Sequence, residues 1–248
     1  NMQLMLALRR NRVKAGIGGI SFDVRSKLAR QLVDSLHFQL TRAQVRVVKE
    51  IAADMSSTGS MNRLLQGDVG SGKTVVALLA MLIAIENGYQ AAFMAPTEIL
   101  AEQHFMTLKS FLNGLPVNVR LLIGGQRARL REDVMEDVRR GSAQLIVGTH
   151  ALIQESVEFA KLGLAVIDEQ HRFGVTQRVA LVGKGKAGGG DPSHPDVLVM
   201  TATPIPRTLS LTIFGDLDVS VIDEMPLNRK PIQTAGRFDS ERDLIHRV

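Results

Sequence analysis

The sequence predicts an α/β fold in which a parallel sheet is covered on both faces by helices. Three observations carry that prediction. Short, almost wholly apolar segments alternate with helical stretches from about residue 40 onward, and strands of that kind belong to parallel sheets buried on both sides. The glycine-rich segment Gly67-Asp68-Val69-Gly70-Ser71-Gly72-Lys73-Thr74 falls between a short strand and a helix. The segment Leu164-Ala165-Val166-Ile167-Asp168-Glu169 is apolar until it ends in two acids. Ligands of such sheets bind at the carboxyl ends of the strands, where both segments lie.

Residues 1–36 read as helical connectors around a break. Met2, Met5 and Leu6 share a face, Gly16, Gly18 and Gly19 interrupt, and Leu28, Leu32 and Leu36 then recur at helical spacing. This stretch has too little core to fold alone and is expected to continue from an upstream domain. A helix follows over 42–53 with Thr41 as its N-cap. Strands are expected near 63–66, 90–95, 117–123, 144–148, 163–168, 197–201 and 218–222. Helices are expected at 73–87, 98–112 and 126–140, with others near 174–184 and 205–213. Gly88 sits where a helix C-terminal cap belongs. Residues 183–195, with five Gly and two Pro, read as a surface loop. After Pro226 comes a linker, then a strand over 232–238 and the start of a helix over 240–248. The expected organisation is a connector over 1–36, one α/β domain over 37–225, and the first elements of a further domain over 226–248.

Composition narrows the function classes. There is no Cys, which excludes disulfides and thiolate metal sites and fits a reducing compartment. The longest apolar run, Val75 to Ile85, is too short to span a bilayer, and the charges near the start follow the apolar stretch rather than precede it. A cytoplasmic protein without a membrane partner is expected. Residues 1–50 carry ten Lys and Arg against three acids, a balance of +7, while the remainder balances at −2. A basic segment on a near-neutral domain suits a polyanion partner, and equally suits a solvated helix face. With nine Phe, one Tyr and no Trp, contact with nucleic acid would rest on charge and backbone groups rather than on base stacking.

Residues 67–74 match the phosphate-binding pattern G-x-x-x-x-G-K-[ST] in full. Its glycines let Gly67, Asp68, Val69, Gly70, Ser71 and Gly72 turn backbone N–H groups toward a triphosphate, at a helix N-terminus that favours negative charge. Lys73 is placed to neutralise the β- and γ-phosphates, and the Thr74 hydroxyl to hold Mg²⁺. At the end of the acid-tipped strand, Asp168 is expected to bind Mg²⁺ and Glu169 to orient and deprotonate the attacking water. The six His are scattered and form no close ligand cluster. These motifs describe a P-loop nucleoside triphosphatase without choosing its kind, although an N-K-x-D base-reading motif of GTPases is absent.

Five further segments, in order, resemble the superfamily 2 helicases. Asp168-Glu169-Gln170-His171 resembles their DExH box, and Thr201-Ala202-Thr203-Pro204 their S/T-A-T motif. Leu40-Thr41 with Ala43-Gln44 is similar to the Q-motif, Ala95 to Gln103 to motif Ia, and Gly148 to Leu152 to motif Ib. Extended strings, Asp168 to Val175 and Thr201 to Thr208, look like the RecG family of branched-DNA helicases; Gln170 and Ser71 favour it over the related transcription-repair coupling translocases. The resemblance covers roughly residues 36–238. It implies a RecA-like helicase motor domain that binds ATP and Mg²⁺ and acts on branched duplex DNA in recombination and repair. It also implies a monomer whose wedge domain and second motor domain are covalently linked.

By that resemblance Phe38 stacks on adenine and Gln44 reads it, while Thr97, Gln103, Thr149 and His150 contact the DNA backbone. His171, Thr201 and Thr203 then couple hydrolysis to movement. Plainer roles stay open: Thr97 is a good helix cap, and Thr201 and Thr203 suit a turn into a helix that begins at Pro204. The hydrolytic arginine comes from the second motor domain in this family, so this stretch alone is expected to bind nucleotide and hydrolyse it poorly. Two other readings remain: a duplex translocase acting on stalled polymerase, and a non-catalytic module switched by nucleotide.

Overall fold

The computed structural model describes residues 18–168, 183, 194–203 and 217–226. The first helices are α1 (Lys27–Ser35) and α2 (Arg42–Met55). Alternating elements follow: β1 (Asn62–Gly67), α3 (Lys73–Glu86), β2 (Gln90–Met94), α4 (Glu98–Phe111), β3 (Val119–Leu122) and α5 (Ala128–Arg140). Then come β4 (Leu145–Gly148), a 3₁₀ turn (His150–Ile153), β5 (Leu162–Asp168), β6 (Asp196–Thr201) and β7 (Asp218–Ile222). Every expected strand up to residue 222 forms, and the 3₁₀ turn is an element the periodicity did not announce. The helices expected near 174–184 and 205–213 lie outside the described residues, apart from Gly183, as do residues 1–17 and everything after Pro226.

The strands make one parallel sheet in the order β3-β4-β2-β5-β6-β1-β7. Successive strand residues face opposite sides, and in the central strands β2, β4, β5 and β6 both sides are core. Leu65, Phe93, Val147 and Val166 point to one cluster, and their neighbours Leu64, Ala92, Ile146 and Ala165 point to the other. That is why the strands read as unbroken apolar runs. Each of these larger side chains contributes roughly 1.5–3 kcal/mol on burial.

Helix α3 is buried all round, from Val75 to Ile85, so it shows no amphipathic face. It ends at Asn87 with Gly88 in the left-handed region (φ 81), closing the helix as anticipated. Thr41 caps α2 through a reciprocal capping box with Gln44. The segment before α2 packs onto α3: Ile20, Phe22 and Leu32 are buried. The Asn87 side chain also accepts from the Asp23 amide and donates to its carbonyl, both at 2.9 Å. No helix among the described residues is long and apolar enough to cross a membrane.

Candidate active site

Strand β6 lies between β5 and β1, so three motif-bearing strand ends stand side by side. Asp168 pairs with Met200, Gln66 with Thr201, and Gly67 with Ile222. Neighbouring strands are about 4.8 Å apart, so the phosphate loop, the acidic strand end and Thr201 share one short stretch of sheet edge.

The phosphate loop is closed on itself. Lys73 Nζ donates to the Gly67 carbonyl at 2.6 Å and to the Asp68 carbonyl at 2.9 Å. The Ser71 hydroxyl is buried with no partner among the described residues, an orphan donor of the kind a ligand oxygen completes. Gly72 has φ 86, and a Cβ there would lie 2.2 Å from Gln44 Nε2. Asp68, Val69 and Gly70 are exposed at the tip. Beside the loop is a cavity of about 210 Å³ lined by Gly67, Asp68, Ser71, Ala202 and the Asp223–Met225 segment.

Gln44 is buried and uses both ends of its carboxamide: Nε2 donates to the Ser71 carbonyl at 2.7 Å, and Oε1 accepts from the Thr41 amide at 2.8 Å. One Nε2 proton is left over. Phe38 is exposed, in an open cleft of about 650 Å³ that it shares with Val33, Leu36, Leu40, Val45 and Pro226 and with the polar His37 and Gln39.

Asp168 ends β5 with its side chain 12% exposed, and its Oδ2 lies 2.8 Å from His104 Nε2. A carboxylate here and the Thr74 hydroxyl at the start of α3 are oxygen donors, the set a hard divalent cation takes. Thr201 and Thr203 meet, hydroxyl to hydroxyl, at 3.0 Å. Glu169 and His171 lie outside the described residues.

The residues read as DNA contacts occupy the neighbouring part of the same edge. Thr97 caps α4 by accepting from the Leu100 amide at 3.3 Å. Gln103 and His150 are exposed. Thr149 is only 2% exposed, and its hydroxyl has no partner among the described residues. Glu98 reaches the turn after β3 and accepts from the Gly125 amide at 3.1 Å.

Two features escaped the motif reading. His104 stands on the inward stripe of α4 with Ala101 and Leu108, and a polar group on a buried stripe needs a partner, which was the available signal. The other is the clasp between α2 and the end of β7. The Ala43 amide donates to Glu224 at 3.0 Å, and Arg46 donates to Asp223 at 2.9 Å and to the Val221 carbonyl at 2.8 Å. The Arg46 guanidinium holds the Asp223 carboxyl below the usual carboxylate range. No short-range pattern links residues so far apart in the chain.

Fold and site together define a P-loop nucleotide-binding motor domain. The sequence profile of the DEAD/DEAH box helicases matches residues 41–212, and the chain belongs to that family. Within it the chain is 54% identical to the ATP-dependent DNA helicase RecG of Streptococcus pneumoniae, over 94% of this chain and 33% of the relative. It is 48% identical to the RecG of Aquifex aeolicus, over 99% of this chain and 30% of the relative. A solved structure of RecG bound to a three-way DNA junction superposes with a TM-score of 0.81 at 44% identity, covering 98% of this chain and 31% of that one. The chain therefore spans about a third of the length of the curated relatives it matches. The resemblance read from the motifs extends over nearly all of it.

Proposed function

We propose that residues 37–225 are the first motor domain of an ATP-dependent DNA helicase that remodels branched DNA, such as stalled forks and Holliday junctions, in the bacterial cytoplasm. One observation carries the reading: the phosphate loop, Asp168 and Thr201 sit at adjacent strand ends beside the edge that holds Thr97, Gln103 and His150. The junction-bound relative supports branched DNA as the substrate.

In this reading adenine lies against Phe38 and accepts a hydrogen bond from the second Gln44 Nε2–H. The triphosphate draws Lys73 away from the Gly67 and Asp68 carbonyls, so binding opens the loop. Mg²⁺, held by Thr74 and Asp168, supplies charge neutralisation over the phosphates. Glu169 takes the proton of the attacking water. His171, Thr201 and Thr203 pass nucleotide state to the groups on the DNA backbone. Those contacts go to phosphate oxygens, which a motor moving along any sequence requires. The working protein is a monomer with linked wedge and second motor domains, and the latter supplies the hydrolytic arginine.

The test is the hydrolysis rate of the full-length protein with no DNA, single strands, linear duplex and forked duplex. Forks are expected to stimulate most, and Glu169→Gln to abolish turnover while nucleotide still binds. Equal stimulation by linear duplex would move the reading to a duplex translocase. Turnover that survives Glu169→Gln would remove the catalytic assignment.

A further inference from the structure

His104 links the two halves of the site. Its ring packs against Phe93 of β2, with centroids 4.6 Å apart at an interplanar angle of 47°. Its Nε2 lies 2.8 Å from Asp168 Oδ2. A carboxylate only accepts hydrogen bonds, so Nε2 carries the shared proton. The His104 side chain is 17% exposed and that of Asp168 12%, so water competes little for this bond. The register of β2 against β5, Met94 opposite Ile167, brings the two residues into reach.

The terminal torsion of an aspartate is broad. A strand end fixes where Asp168 starts, but not the plane of its carboxylate. A donor on a packed ring fixes that plane by occupying Oδ2, and Oδ1 is then the oxygen available to a cation. Groups that orient a metal-binding carboxylate in this way are typically worth tenfold or more in metal affinity or activity.

The same helix meets the proposed DNA edge. Thr97 caps its first turn, Glu98 holds the Gly125 amide, and Gln103 is exposed one residue before His104. His104 lies about two turns along the same fourteen-residue helix, so a shift of α4 would carry the DNA-facing end and His104 together.

We propose that His104 is a positioning residue. It sets the Asp168 carboxylate for Mg²⁺ and transmits movement of α4, caused by DNA, to the hydrolysis site. This rests on the functional reading above.

The experiment uses the full-length protein with His104→Ala and His104→Gln, the glutamine being able to return an N–H to Asp168. Three quantities are read: the Mg²⁺ concentration at half-maximal binding of a fluorescent ATP analogue, the nucleotide-free Kd for forked DNA, and hydrolysis with and without that DNA. For His104→Ala the Mg²⁺ midpoint is expected to rise about tenfold and DNA stimulation to fall by a similar factor, with the DNA Kd unchanged. His104→Gln is expected to restore both. A wild-type Mg²⁺ midpoint in His104→Ala overturns the positioning role, as does a glutamine variant no better than alanine. If wild-type hydrolysis ignores DNA, the helicase reading and the transmission role fail together, and the Mg²⁺ midpoint alone still decides whether His104 positions Asp168.

Discussion

The Gln44 carboxamide ties the first turn of α2 to the phosphate loop, donating to the Ser71 carbonyl at 2.7 Å while accepting from the Thr41 amide at 2.8 Å. One side chain therefore closes a helix cap and holds the phosphate loop. Its removal affects both, through different energies.

Replacing Gln44 by Ala loses half of a capping box and leaves the Ser71 carbonyl without its donor. A cap is worth about 1 kcal/mol, and a buried hydrogen bond a similar amount. The expected result is a loss of about 2 kcal/mol in denaturant unfolding together with weaker ATP-analogue binding. Gln44→Glu keeps the acceptor for Thr41 but in its ionised form can donate neither to Ser71 nor to adenine, so it separates the helix cap from the nucleotide-side contacts. Unchanged nucleotide affinity in Gln44→Glu would show that the Ser71 bond does not shape the loop.

Gly72→Ala meets two obstacles. Its φ of 86 costs an alanine about 1–2 kcal/mol, and the new Cβ would sit 2.2 Å from Gln44 Nε2. The variant is expected to be less stable and to bind nucleotide poorly. The clash, unlike the backbone strain, depends on Gln44. Introduced into Gln44→Ala, the same substitution is expected to cost less, a coupling measurable by a double-mutant cycle. Strict additivity would mean that Gln44 moves aside freely.

Asp196 gives a pH signature. It is buried at the amino end of β6, its Oδ1 accepts from the Met61 amide at 2.6 Å, and its Oδ2 has no partner among the described residues. Burial pushes its carboxyl up from 3.8 to about 8. The folded chain thus keeps a proton that the unfolded chain releases. The contribution of Asp196 to stability is full below about pH 4 and is lost at about 1.4 kcal/mol per unit as pH rises toward 8. Asp196→Asn cannot titrate, so its unfolding free energy relative to wild type is expected to improve steadily between pH 5 and 8. Parallel profiles for the two proteins would contradict this burial effect.

What the sequence makes legible is whatever local chemistry determines. Val166 and Ile167 announce a two-sided strand because both neighbours are apolar, and Thr41 and Thr97 announce helix starts because a hydroxyl there satisfies an amide that the helix cannot. The phosphate loop is readable because its glycines and lysine are needed at fixed spacing. Contacts set by the meeting of distant segments are not readable in this way. His104 against Asp168, Ala43 against Glu224 and Asp196 against Met61 follow from strand order, which no run of adjacent residues encodes. Asp196 is hardest, since an aspartate beside a proline ordinarily signals an exposed turn.

The place of β1 between β6 and β7 has a consequence for the newborn chain on the ribosome. Both partners of β1 follow it at a distance, at Asp196–Thr201 and Asp218–Ile222. While β2 to β5 can join as they emerge, the strand that leads into the phosphate loop has no neighbour to pair with. Closing such a long loop is slow and leaves an open strand edge in the meantime. The phosphate loop therefore reaches its paired setting only after the chain past Thr201 has been made, and any ligand that binds the paired loop would favour completion of the fold.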